Sequence, residues 1–255
     1  MRLPPNVAEL LEALLRGQRV SLGANLIGVY LRGSLVMDAF DPATSDVDFF
    51  AITERPVSAE EFVALAALHE ELSRLPNPFG DQLEGPYIDR ASAWRHEPGQ
   101  RVPLITRTGT LEWSELGANW LIERWVVRER GISLMGPDPS SLIAPISSDD
   151  LRAATRARLP DWIEWAHQTD DPEWHAHRGH KAYYVETMCR ALHTLATGEA
   201  QTKPQAVAWA LATLSEPWRT TVERSQTWRS DPTPDDSLNP EVTRFILWAA
   251  GRGAS

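Results

Sequence analysis

With 255 residues, 42% of them apolar, the chain can bury one large core or two modest ones and has the composition of a folded protein. Its formal net charge of −10 argues against nucleic acid as the main partner, because phosphate-backbone binding rests on a surplus of Lys and Arg, and is compatible with a cationic small substrate. One cysteine, Cys189, excludes an intramolecular disulfide and a cysteine-rich zinc site and reads as a buried thiol on a helix.

The start Met1-Arg2-Leu3-Pro4-Pro5 leads into a stretch carrying Glu9 and Glu12, so no secretory signal is expected. No apolar run is long enough to cross a bilayer, and the expected location is the cytoplasm, with no membrane partner. Residues 6–18 set Val7, Leu10, Leu11, Leu14 and Leu15 on one face of a helix that would pack on a sheet. Leu26-Ile27-Gly28-Val29-Tyr30-Leu31 reads as a strand ended by a tight Gly33-Ser34 turn, and residues 46–50 as a second strand. Ser58, with Glu60 and Glu61 in the first turn, opens a helix through Phe62, Leu65, Leu68 and Leu72 that ends before Pro76.

Residues 82–89 read as a third strand, interrupted by Gly85-Pro86 and therefore expected at a sheet edge or broken at Gly85, since Pro donates nothing to a ladder. Residues 91–110 read as loop with strand character over 102–106, residues 116–129 as a helix, and residues 132–134 as a short extended piece. Gly136-Pro137-Asp138-Pro139 is the clearest break. Beyond it the β signals stop. Helices are expected over 148–168, 180–197 with a stop at Gly198, 203–214 with Pro204 in the first turn, 218–228 and 241–250. The expected fold is α+β: an N-terminal domain, 1–147, of mixed β-sheet with flanking helices, and an all-α C-terminal domain, 148–255.

The chemistry concentrates in the first two strands. On a strand, Asp46 and Asp48 share one face while Val47 and Phe49 take the other, and two residues of rise put the carboxylates about 6 to 7 Å apart at the backbone. Like charges so close call for a cation, and Mg²⁺ takes one or two protein carboxylates and completes its shell with water and substrate phosphate. Gly33 permits close backbone approach to a ligand, and the Ser34 hydroxyl with nearby N–H groups suits phosphate oxygens.

Gly-Ser followed about a dozen residues later by Asp-x-Asp on a strand resembles the signature of the polymerase-β type nucleotidyltransferase superfamily. Over most of its length the chain is similar to the bacterial aminoglycoside adenylyltransferases that modify streptomycin and spectinomycin. That resemblance implies two Mg²⁺ ions held by Asp46 and Asp48, with Gly33, Ser34 and Ser45 at the triphosphate of ATP, the co-substrate. It implies that Glu84, 36 residues after Asp48, is the general base or a further metal ligand. It also implies that Lys203, after the Thr197-Gly198 stop, and Trp228 bind nucleotide, while the residues themselves also allow a surface lysine and a core tryptophan.

The implied reaction moves AMP from ATP to a hydroxyl of a small, cationic acceptor in the cleft between the domains. Rival readings keep the chemistry on a non-antibiotic metabolite or a protein hydroxyl, or make the chain a nucleotide-binding regulatory module without turnover. His180-Lys181-Ala182-Tyr183 departs from the family where it touches the antibiotic. The run His175, His177 and His180 suggests either a metal site or a loop. Trp162, Glu164, Trp165, Asp170, Asp171 and Glu173 read either as a receptor for an amine-rich sugar or as solvated helix faces.

Overall fold

The computed structural model describes residues 3–43, 45–97, 99–106 and 109–254. Met1 and Arg2 of the start, Thr44 of the loop before Asp46, Pro98, Arg107 and Thr108 of the loop-like stretch, and Ser255 lie outside the described residues. The chain divides into two compact units, Met1–Pro145 and Ile146–Ser255.

The first unit is built on a mixed six-stranded sheet in the order β5-β4-β3-β2-β1-β6. Its strands are β1 (Leu26–Leu31), β2 (Val47–Thr53), β3 (Leu83–Asp89), β4 (Arg101–Ile105), β5 (Leu111–Glu115) and β6 (Ile132–Met135). Only β2 and β3 run parallel; every other neighbouring pair is antiparallel. The helices α1 (Pro5–Leu22) and α2 (Ala59–Ser73) bury Val7, Leu10, Leu11, Leu14, Leu65, Leu68 and Leu72 in one cluster with Val29, Leu31, Val47, Phe49 and Ala51 of the strands. Ser58 caps α2 by accepting from the Glu61 N–H while the Glu61 carboxylate accepts from the Ser58 N–H, satisfying two orphan donors at once.

A polar knot is buried in this core. Gln18 Nε2 donates to the Tyr87 hydroxyl at 3.0 Å, and that hydroxyl lies 2.8 Å from His69 Nε2. Burial pushes the His69 pKa down to about 3, so the ring is neutral and serves as the acceptor of the Tyr87 proton.

The third strand is not at an edge. It lies between β2 and β4, because the Gly85-Pro86 interruption costs only part of the β2 ladder: the offset is the same before it (Val47↔Leu83, Asp48↔Glu84) and after it (Ala51↔Tyr87, Ile52↔Ile88). Gly85 and Pro86 pair instead with Ile105 and Leu104 of β4. A Cβ on Gly85 would stand 2.4 Å from the Phe49 carbonyl oxygen, so a side chain there would push β3 away from β2. The helix expected over 116–129 is present, whereas a short helix departs from the loop-like reading of 91–110 and a strand occupies 111–115, where no element is expected from the sequence. The short helix α3 (Arg90–Trp94) is capped by Asp89, whose carboxylate accepts from the N–H groups of Ala91 and Ser92, and β5 pairs with β4 over five residue pairs ahead of α4 (Asn119–Arg130).

Among its described residues, the second unit is helical: α5 (Ser148–His167), α6 (Arg178–Thr197), α7 (Lys203–Thr213), α8 (Trp218–Ser225) and α9 (Asn239–Gly251). The helix α6 is its spine, burying Ala182, Tyr184, Val185, Met188, Cys189 and Leu192. It stops at Gly198, whose φ of 75° is the left-handed conformation glycine accepts without a Cβ penalty. Burial pushes the Cys189 thiol up to about 12, as expected of a structural thiol. No helix among the described residues is long and apolar enough to cross a membrane.

Candidate active site

The site forms where β1 hands over to β2. After β1 the backbone N–H of Arg32 donates to the Asp48 carbonyl at 3.1 Å, which keeps the chain beside β2 as it turns. Gly33 then takes φ 65° and opens a single 3₁₀ turn, Gly33–Leu35. A Cβ at Gly33 would lie 2.0 Å from Asp48 Oδ2, so only glycine lets this turn sit against the carboxylate. Val47 and Phe49 are fully buried on the core side of β2, and Asp48 between them is turned to the site, with 15% of its side chain exposed.

Parallel pairing brings in the third carboxylate. Glu84 is the direct partner of Asp48 across β2 and β3 and is about one-third exposed. Asp46 directly precedes β2 and is half-buried, and its charge is felt at Asp48. Ser45 closes the preceding loop: its hydroxyl accepts from the Asp41 N–H at 3.0 Å and its own N–H donates to the Asp41 carbonyl.

Sequence reasoning missed the residue at the centre. Arg32 is 4% exposed, with Nη2 2.9 Å from Asp48 Oδ1 and 3.6 Å from Glu84 Oε1, and Nη1 donating to Glu123 Oε2 at 2.9 Å. Glu123 and Trp120 both come from α4, and the guanidinium carbon stands 5.2 Å from the Trp120 ring centroid. Burial works against the Arg32 charge, but Asp48, Glu123 and Glu84 outweigh it and raise its pKa, so it stays protonated. Burial is also the largest influence on Asp48; Arg32 opposes it, while Glu84, Glu123 and Asp46 add to it, and the carboxyl is pushed up to about 6. An ionic residue closing an otherwise apolar strand immediately before Gly-Ser was the available signal for Arg32. Nothing local pointed to Glu123.

Among the described residues, no three His, Cys, Asp or Glu side chains stand as a ready-made metal-binding group. At the expected shell of Asp46, Asp48 and Glu84, the Arg32 guanidinium lies beside Asp48 and Glu84. The donor set fits Mg²⁺, which needs only one or two protein carboxylates: three carboxylates (Asp48, Glu84 and Glu123) face one guanidinium and Asp46 acts on Asp48, which leaves the site with surplus negative charge.

In the second unit Lys203 is the first residue of α7, behind a Thr202–Gln205 capping box, with Nζ 4.4 Å from the Tyr183 ring centroid. Trp228 is 4% exposed and belongs to the helical core. The histidine run passes from a 3₁₀ turn ending at His175, through the N-cap His177, into the first turn of α6 at His180. Arg178 donates to Asp235 and Asp231, His175 Nδ1 lies 2.8 Å from Asp236 Oδ2, and Lys181 at the start of α6 is buried and donates to the Trp174 carbonyl. Trp162, Trp165, Asp171 and Glu173 line one cavity of about 260 Å³ with Arg158 and Asp161, while Glu164 and Asp170 are exposed residues that do not line it. The Trp162 and Trp165 rings stand at 89° to each other, forming two aromatic walls beside three carboxylates.

A mixed sheet presenting a Gly-Ser turn against an aspartate, with a glutamate in register on the next strand and a helical unit following, has the features of a nucleotidyltransferase. Residues 141–249 match the family described as aminoglycoside adenylyltransferase, C-terminal domain. The chain is 26% identical over 205 residues to a spectinomycin 9-adenylyltransferase of Staphylococcus aureus, covering 75% of this chain and 73% of the relative. It is 24% identical over 222 residues to one of Campylobacter jejuni, covering 82% and 78%. Its fold matches the crystal structure of the spectinomycin adenyltransferase AAD(9) from Enterococcus faecialis with ATP and spectinomycin, at a TM-score of 0.76 and 19% identity over 97% of this chain and 99% of that one. In its second unit and over most of its length the chain is similar to aminoglycoside adenylyltransferases.

Proposed function

We propose that the protein transfers AMP from ATP to a hydroxyl of an aminoglycoside or aminocyclitol acceptor of the spectinomycin kind, in a Mg²⁺-dependent reaction. The observation that carries this reading is the in-register pairing of Asp48 with Glu84 beside the Gly33 turn. It supports the reading because a carboxylate suited to metal and a carboxylate suited to accepting a proton stand side by side on neighbouring strands.

Asp46 and Asp48 would hold Mg²⁺, which when bound neutralises triphosphate charge and favours departure of pyrophosphate. The Gly33-Ser34 turn offers backbone N–H groups and a hydroxyl to phosphate oxygens without a side chain in the way. A carboxylate oxygen of Glu84 takes the proton of the acceptor hydroxyl as the hydroxyl oxygen attacks the α-phosphorus, the bond between the α-phosphorus and the α–β bridging oxygen breaks, and pyrophosphate leaves with its electron pair. Fixed on β2 and β3, these groups act mainly by alignment and charge complementarity. Lys203 is proposed to contact nucleotide phosphate, a role supported by its ammonium standing at the positive end of α7. The acidic, indole-walled cavity of the second unit suits protonated amines, which supports a cationic acceptor.

Incubating the protein with Mg²⁺, labelled ATP and spectinomycin or streptomycin tests the reading. An AMP adduct on the drug supports it. Adducts on neither drug, with ATP still bound, would move the acceptor to another hydroxylated metabolite.

A further inference from the structure

The guanidinium of Arg32 is anchored from behind. Its Nε donates to the Phe49 carbonyl at 3.2 Å and its Nη1 to Glu123, while the face of Trp120 lies alongside. The remaining nitrogen, Nη2, is buried and directed at Asp48 and Glu84, yet makes no aligned hydrogen bond, only ion-pair contact. Anchoring therefore comes from groups outside the proposed reaction, and the charge is delivered to the two carboxylates inside it. A guanidinium so placed does electrostatically what a bound cation does: it lets two carboxylates on neighbouring strands stay close and ionised.

We propose that Arg32 is an internal counter-cation of the site, a positioning residue that fixes the spacing of Asp48 and Glu84 and competes with divalent metal for their charge. Glu123 and Trp120 of α4 are its holders. The inference takes from the proposed function only the identity of the metal. Its test needs no turnover, so failure of one leaves the other standing.

The full chain is unfolded thermally with and without Mg²⁺, in the absence of nucleotide, for the wild type, Arg32→Met and Arg32→Lys. In wild type the guanidinium already supplies the charge, so Mg²⁺ moves the midpoint little. In Arg32→Met the metal replaces a missing cation, and the midpoint is expected to rise with Mg²⁺ by roughly 3 °C or more beyond the wild-type response. Arg32→Lys keeps the charge and is expected to restore a wild-type-like magnesium response even if the protein is less stable. Should Arg32→Met not fold, the charge-balanced pair Arg32→Met/Glu123→Gln removes the stranded Glu123 charge and is read in the same way. A purely structural arginine would lower the midpoint in every variant and leave the magnesium response equal to that of wild type, which would overturn the proposal.

Discussion

Glu84 stands directly across from Asp48 on adjacent parallel strands, and the same offset of 36 positions pairs Val47 with Leu83 and Thr53 with Asp89. A functional pair set by strand register is stiff: shifting Glu84 relative to Asp48 means slipping β3 as a whole, which would expose its buried residues Leu83, Tyr87 and Ile88. If Glu84 is the proton acceptor, Glu84→Gln should leave the fold and ATP binding intact and slow the chemical step by about 10² to 10⁴-fold. Single-turnover kinetics beside calorimetric ATP titration separates the two. Loss of nucleotide affinity instead would assign Glu84 to metal binding.

Gly33→Ala should be out of proportion to its size. The residue has φ 65° and an added Cβ would meet Asp48 Oδ2 at 2.0 Å, so the turn must move off the carboxylate. The backbone cost alone is about 1–2 kcal/mol. Denaturant unfolding should show at least that loss, and ATP affinity should fall with it. Full activity would mean that the turn is not at the nucleotide.

Lys203 and Trp228 should respond oppositely. Lys203→Ala removes a half-buried cation at a helix start and is expected to weaken ATP binding with little change in stability. Trp228→Phe, which keeps an aromatic ring in the core, should cost stability and leave ATP affinity as it was. Calorimetry on both variants checks the pair of outcomes, and a collapse of ATP affinity in Trp228→Phe with stability unchanged would restore the indole to the nucleotide.

His69 gives the protein a specific acid weakness. Its folded pKa, about 3, lies below the 6.5 of a free imidazole, so the unfolded chain binds the extra proton. The His69 contribution is therefore fully present above about pH 6.5. It is lost progressively as pH falls toward 3, at roughly 1.4 kcal/mol per pH unit. His69→Gln should flatten stability over that window in urea titrations at successive pH values. An unchanged slope between pH 6 and 4 would show that His69 is not the titrating group.

How much of this was legible before the structure depended on the range of each signal. Alternation along a strand showed Asp48 and its buried neighbours Val47 and Phe49, and helical spacing showed α1, α2 and α6, because those patterns are local. The partnership of Arg32 with Glu123 spans 91 positions and exists only because α4 meets the end of β1, which no spacing encodes. β5 escaped because its burial does not alternate: of Leu111–Glu115 only the first residue is buried, as on an edge strand. β3 was expected at an edge or broken at Gly85 because Pro86 was weighed as a ladder breaker; the β2 ladder does skip Gly85 and Pro86, but the strand keeps its register through the interruption and lies inside the sheet. Trp228 shows the limit of composition: among eleven tryptophans, the residue type alone does not separate a nucleotide platform from a core filler.

The most direct test of the account is mass-spectrometric detection of AMP transfer to spectinomycin by wild type and by Asp48→Asn, with Mg²⁺ and ATP. The account predicts a drug–AMP adduct and pyrophosphate from the wild type. For Asp48→Asn it predicts a folded protein with no adduct and no magnesium-dependent ATP binding. Adduct formation at the wild-type rate by Asp48→Asn would contradict it, because the carboxylate that β2, the Gly33 turn and Arg32 converge upon would then have no part in the reaction.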